Sequence, residues 1–116
     1  MENMIYNELV RRGYSVDVGI VEVNRLVDGK QKMSQHEIDF VVNIGNNKVY
    51  IQSALNIDTP EKKAQELFSL KYTGDFFRKI VVLDGSSKPW TDEDGVMYIG
   101  VIPFLLEDIL SEATRV

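Results

Sequence analysis

No cysteine occurs in the 116 residues, which removes disulfides, thiolate zinc sites and a thiol nucleophile from consideration. A single histidine, His36, leaves no partner for a His-pair metal site and makes any serine–histidine relay rest on one residue. No apolar run reaches the roughly 18 residues needed to cross a bilayer, and the first residues lack the pattern of a signal peptide. The expectation is therefore a cytoplasmic domain with no membrane partner. Cations are outnumbered: thirteen Lys and Arg stand against eighteen Asp and Glu, a net charge of −5. That argues against a surface that grips nucleic acid throughout, while leaving a local basic patch open. No G-x-x-x-x-G-K-[ST] loop is present, so these residues carry no ATP-phosphate cradle of that type. Repeats, low-complexity tracts and Pro/Gly/Ser linkers are also lacking. What is there is an ordinary globular balance, 44% hydrophobic and 27% charged, long enough for one domain over 1–116.

Met1, Met4, Ile5 and Leu9 recur at helical spacing and predict a helix over 1–12, closed by Gly13. Glu8 and Arg12 fall inside its apolar arc, and no side chain precedes it to act as a cap. Tyr14, Val16, Val18 and Ile20 alternate as a strand running on to Asp28-Gly29, a strong hairpin pair. The return arm, 30–35, is polar and reads as an exposed ribbon. Ile38, Phe40, Val42 and Ile44 alternate as a second strand, and 48–55 after Gly45-Asn46-Asn47 reads as a third. Asp58-Thr59-Pro60-Glu61 starts a helix whose inward face is Ala64, Leu67, Phe68 and Leu70 or Lys71. The apolar run Ile80–Leu83 suits a central strand covered on both faces. A polar loop over 84–94, a strand over 96–101 and a closing helix over 103–112 complete the order αβββαββα. This predicts an α/β fold of three αβα layers around a mixed sheet.

Chemistry concentrates in Glu37-Ile38-Asp39-Phe40 and Tyr50-Ile51-Gln52-Ser53-Ala54. Strict alternation places Glu37 and Asp39 together on the face opposite Ile38 and Phe40. A two-residue turn sets Asp39 opposite Gln52 or Ala54 on one face, whereas a three-residue turn breaks that parity unless a bulge restores it. Glu8 is an acid that could point to the same place. His36 reads as a solvated side chain of the polar arm, and Trp90 as a cover for a sheet end, with base stacking as its alternative role.

These residues resemble the PD-(D/E)xK nucleases, the restriction-endonuclease-like superfamily, in which an acid-bearing helix precedes a strand with Asp and a neighbouring acid-x-Lys strand. The likeness is closer to one branch, the domain of unknown function at the C-terminus of bacterial and archaeal AAA-type P-loop ATPases. It rests on Glu2-Asn3, Tyr6-Asn7-Glu8-Leu9, Arg11-Arg12-Gly13-Tyr14-Ser15-Val16, Glu37-Ile38-Asp39-Phe40-Val41, Tyr50-Ile51-Gln52-Ser53-Ala54, Lys79-Ile80-Val81 and Asp94-Gly95-Val96. The resemblance and the uncapped first helix together lead us to expect an excised C-terminal part of a longer ATPase. An upstream ATPase domain would then be its first partner.

In the nuclease pattern two carboxylates hold Mg²⁺ and a lysine positions or activates water. Here the second acid is replaced by neutral Gln52 and the lysine by Ala54. Lys48 lies four or six residues away, roughly 13–20 Å along the strand, and Lys62 or Lys71 would have to reach in from the second helix. The expectation is a degenerate site at Glu8, Asp39, Gln52 and Ala54, no catalysis, and no cofactor in this domain. ATP and Mg²⁺ belong to the absent ATPase part. Glu37 and Asp39 are the weak metal candidates. Arg11, Arg12, Arg25, Lys30 and Lys32 are the candidate nucleic-acid contacts. The reading is a non-catalytic accessory or recognition module. Two alternatives stand beside it: an Mg²⁺-dependent nuclease with a relocated lysine, and a protein–protein interaction module.

Overall fold

A computed structural model describes residues 1–114, with side chains through Ser111. Helix α1 (Glu2–Arg11) leads into β1 (Ser15–Val27), β2 (Lys30–Ile44) and β3 (Asn47–Ala54). Helix α2 (Pro60–Lys71) follows, then β4 (Arg78–Leu83), β5 (Trp90–Thr91), β6 (Val96–Gly100), α3 (Val101–Leu106) and a 3₁₀ turn over Ile109–Thr114. The six strands form one mixed sheet in the order β1-β2-β3-β4-β6-β5. β1, β2 and β3 make the expected antiparallel meander, and β3, β4 and β6 run parallel. A helical crossover between parallel strands accounts for α2 lying between β3 and β4 in sequence.

Turn chemistry fixes the meander. Asp28 and Gly29 both take positive φ, 52° and 77°, the geometry of a two-residue turn that follows the strand twist. Gly45 at φ 59° makes the second turn, and Ile44 pairs with Asn47, so this loop also has two residues. Thr59 accepts a bond from the Lys62 amide and caps α2, with Pro60 in its first turn.

The core lies on both faces of the sheet. Ile5 and Leu9 of α1 and Phe104 of α3 pack over Phe40, Val42, Ile51, Ile80 and Val82. On the other face Leu67, Phe68 and Leu70 of α2 cover Val41, Tyr50, Val81 and Tyr98. β4 sends alternate residues into both clusters, as its continuous apolar run requires. The architecture is therefore α/β with helices on both sides of a mixed sheet.

Three expectations are revised. Val101 begins α3 rather than ending a strand, and the closing helix breaks after Leu106 into a separate 3₁₀ turn. The polar loop over 84–94 contains the short edge strand β5, whose Trp90 pairs with Tyr98. Finally, Ile38 and Phe40 do not share a face: Ile38 packs on the α2 side and Phe40 on the α1 side. The cause is a β-bulge. Asp17 pairs with Val41 but Gly19 pairs with Ile38, so Asp39 and Phe40 together face Val18 alone. Gly19 is required there, since a Cβ would lie 2.7 Å from Val41 Cγ2 and 3.1 Å from Ile38 Cβ.

Candidate functional site

The bulge sits where β2 and β3 part. Their backbone pairing runs from Ile44 and Asn47 up to Phe40 and Ile51. One residue beyond, side chains replace the ladder. The Asp39 amide donates to Gln52 Oε1 at 2.8 Å, and the Ser53 amide donates to Asp39 Oδ2 at 2.8 Å. The Ser53 hydroxyl also donates to Oδ2, at 2.9 Å. Asp39 and Gln52 are thus neighbours, as the two-residue turn predicts. Gln52 is buried and its carbonyl oxygen is committed to the Asp39 amide.

Two acids outside the candidate site residues stand nearby. Glu2 Oε1 lies 3.4 Å from Ser53 Oγ. Glu66 of α2 has its carboxyl pushed above the usual glutamate range by burial and then by the charge of Asp39. A signal for Glu2 existed: it stands one turn before Ile5 on the face that continues to Leu9. Glu66 had none beyond its place beside the inward residue Leu67.

Glu8, by contrast, does not join Asp39. Its carboxylate is gripped by Arg11 through three hydrogen bonds of 2.8–3.2 Å, with Arg12 Nε at 3.4 Å. The Arg11 hydrogen bond is the main reason its carboxyl lies below the ordinary value. Ala54, at the expected lysine position, is buried in the α2-side cluster. Lys48 pairs with Asn43 at the far end of the hairpin. Lys62 is exposed in the first turn of α2. Glu37 is exposed, and among the described residues no three His, Cys, Asp or Glu are grouped to hold a metal ion.

Three of the five candidate cationic contacts are engaged within the domain. Arg11 is paired with Glu8, and Arg12 is part-buried, donating to the Phe104 and Leu105 carbonyls at 3.0 Å each. Arg25 lies 4.4 Å over the Phe68 ring. Lys30 and Lys32 are exposed near the ribbon end. His36 is not solvated as expected: it is half-buried, edge-on to Phe68 at 4.6 Å, with Nε2 2.9 Å from Ser34 Oγ. Trp90 stacks on the buried Tyr98 at 4.2 Å, the sheet-end cover its position suggested. Away from Asp39, a half-open cavity of about 600 Å³ lies between α2 and the strands, walled by Leu67, Phe68 and Val96 with Lys71, Lys79 and the exposed Phe76 at its edge.

Residues 1–104 match the sequence profile of a domain of unknown function, DUF4143. The chain belongs to this family. An uncharacterized protein of Haemophilus influenzae is 33% identical over 107 residues, covering 92% of this chain but 23% of that protein. The chain thus spans about a quarter of the length of the curated relative it matches. Among the described residues of this DUF4143 domain, no helix is long and apolar enough to cross a membrane.

Proposed function

We propose that the domain is a non-catalytic accessory module of a longer AAA-type ATPase, built on a restriction-endonuclease-like frame with a degenerate site. The observation that carries this reading is the closed exchange at the bulge. Asp39 is held by both donors of Ser53, Gln52 is held by the Asp39 amide, and a buried methyl occupies the lysine position. Such a donor set suits a divalent cation poorly, because hard cations need several free oxygens converging on one point. The α2 side chain that feels the charge of Asp39 is Glu66, an acid, where a relocated lysine would be required. The ATP site would lie outside these residues, and a relative four times longer than the matched span supports that arrangement.

A protein partner is favoured over nucleic acid. Arg11, Arg12 and Arg25 already serve internal contacts, while Val18, Ile20, Leu26 and Met33 stand exposed on the ribbon. The test is calorimetry with Mn²⁺ and incubation with single- and double-stranded DNA and RNA, using Asp39→Ala as control. No heat and no cleavage are expected. Binding and cleavage that both vanish in Asp39→Ala would overturn the reading. In a longer member of the family, deleting the domain is expected to change the rate or coupling of ATP turnover, and an unaltered ATPase would remove the accessory role.

A further inference from the structure

β1 is an edge strand of thirteen residues, and no strand among the described residues pairs with its outer side. Long free edges invite pairing, and proteins usually blunt them with proline, lysine or a bulge. β1 has no proline and no lysine, and the bulge lies on β2 instead. On the α1 side of the ribbon Val18, Ile20 and Leu26 are 63%, 64% and 72% exposed, sharing that face with Glu22 and Asn24.

We propose that β1 pairs antiparallel with β1 of a second copy of this chain, about a two-fold axis through Val21. Two six-stranded sheets then become one. This is the single register that pairs all thirteen residues, setting Ser15 against Val27 and Val21 against itself. It also sets Asp17 against Arg25 twice, once on each side of the axis. Both charges already lie on the α2 side of the strand, Asp17 accepting from Asn43 Nδ2 and Arg25 over Phe68. On the other face, Val16 meets Leu26 of the second copy, covering the most exposed apolar side chain of the strand. Centring the axis on Glu22 instead would set Glu22 against itself and lose the Asp17–Arg25 pairs. Such self-complementarity is what a two-fold interface requires. Failure of this pairing would leave the non-catalytic reading standing, since neither rests on the other.

Sedimentation velocity of the 116-residue chain is expected to show a concentration-dependent dimer. Asp17→Arg and Arg25→Asp each turn two attractive cross-strand pairs into two repulsive ones, and each is expected to weaken the dimer roughly tenfold or more. Mixing the two variants brings opposite charges together at both positions, so a heterodimer of near-parental strength is expected. Rescue on mixing cannot come from chains that fail to fold. On the unmodified chain, amide exchange over 15–27 is expected to slow as concentration rises. A monomer at all concentrations, a dimer that neither reversal weakens, or exchange over 15–27 that does not respond to concentration would overturn the proposal.

Discussion

Replacing Asp39 by alanine separates a structural acid from a metal-binding one by the sign of its effect on stability. In the structure Asp39 Oδ2 accepts two hydrogen bonds, from the amide and the hydroxyl of Ser53. A hydrogen bond to a charged group contributes about 1.5–3 kcal/mol. The two bonds share one oxygen in a half-buried place, so they do not add in full. Relief of the repulsion with Glu66 trims the loss further. A net destabilisation of about 2 kcal/mol remains, with the Ser53 amide left without its acceptor. For a domain of this size that is roughly 8 °C in Tm, or about 1 M in the urea midpoint. The only tryptophan, Trp90, is stacked on buried Tyr98 and gives a fluorescence signal for the unfolding. A carboxylate kept for metal behaves oppositely, because functional acids left unneutralised reduce stability and their removal leaves it unchanged or raises it. A midpoint equal to or above the parental one would therefore refute the reasoning. A Ser53→Ala double-mutant cycle should return a coupling of roughly 1 kcal/mol, and additivity would point to the same refutation.

Three further outcomes follow from the same geometry. Arg12→Ala removes both bonds that hold the Phe104 and Leu105 carbonyls and is expected to cost about 2–4 kcal/mol in urea unfolding, where a loss below roughly 0.5 kcal/mol would contradict it. Glu66 has a carboxyl raised above its ordinary 4.5, so its stabilising contribution is full below that pH and lost as pH rises through the raised value. Glu66→Gln should accordingly exceed the parent in thermal stability at pH 7 and match it near pH 4; equal stability at both would sink the assignment. Gly100→Ala places a Cβ 2.5 Å from the Ser87 amide nitrogen and 2.6 Å from the Gly85 carbonyl oxygen. Both are backbone atoms, so a loss of about 3 kcal/mol or more is expected, and a parental midpoint would show that the loop yields freely.

Local signals make most elements legible in the sequence. Asp28-Gly29 and Gly45-Asn46 are turn pairs whose backbone demands glycine, and Thr59-Pro60 is a helix start for reasons internal to four residues. The bulge was not legible as such, since Ile38, Phe40, Val42 and Ile44 alternate without a break in apolarity. Its traces are indirect. Val41 is apolar where a half-buried strand would be polar, and β1 shifts its buried positions from the parity of Val16 to that of Val21 and Val23. Those traces also suit a ribbon buried on one side, so alternation alone chose the wrong face for Ile38. Gln52 beside Asp39 follows from the turn length, whereas Glu66 near Asp39 and Glu2 near Ser53 depend on the long-range placement of α2 and α1, which no spacing within the strands encodes.

The bulge also bears on whether the site could be turned back into a hydrolytic one by residue type alone. Gln52→Glu would supply the missing acid, but the oxygen at that place already accepts from the Asp39 amide, and Glu66 adds a further negative charge nearby. Ala54→Lys would set an ammonium among Val81, Leu83 and Tyr50 in the α2-side core, where its desolvation is costly. A nuclease lysine works only if its ammonium reaches water and phosphate, so the end of β3 would have to open from beneath α2. The obstacle lies in packing as much as in chemistry. An added acid or lysine without that opening should lower stability and give no cleavage, which is the behaviour of a strand end that has become a structural joint.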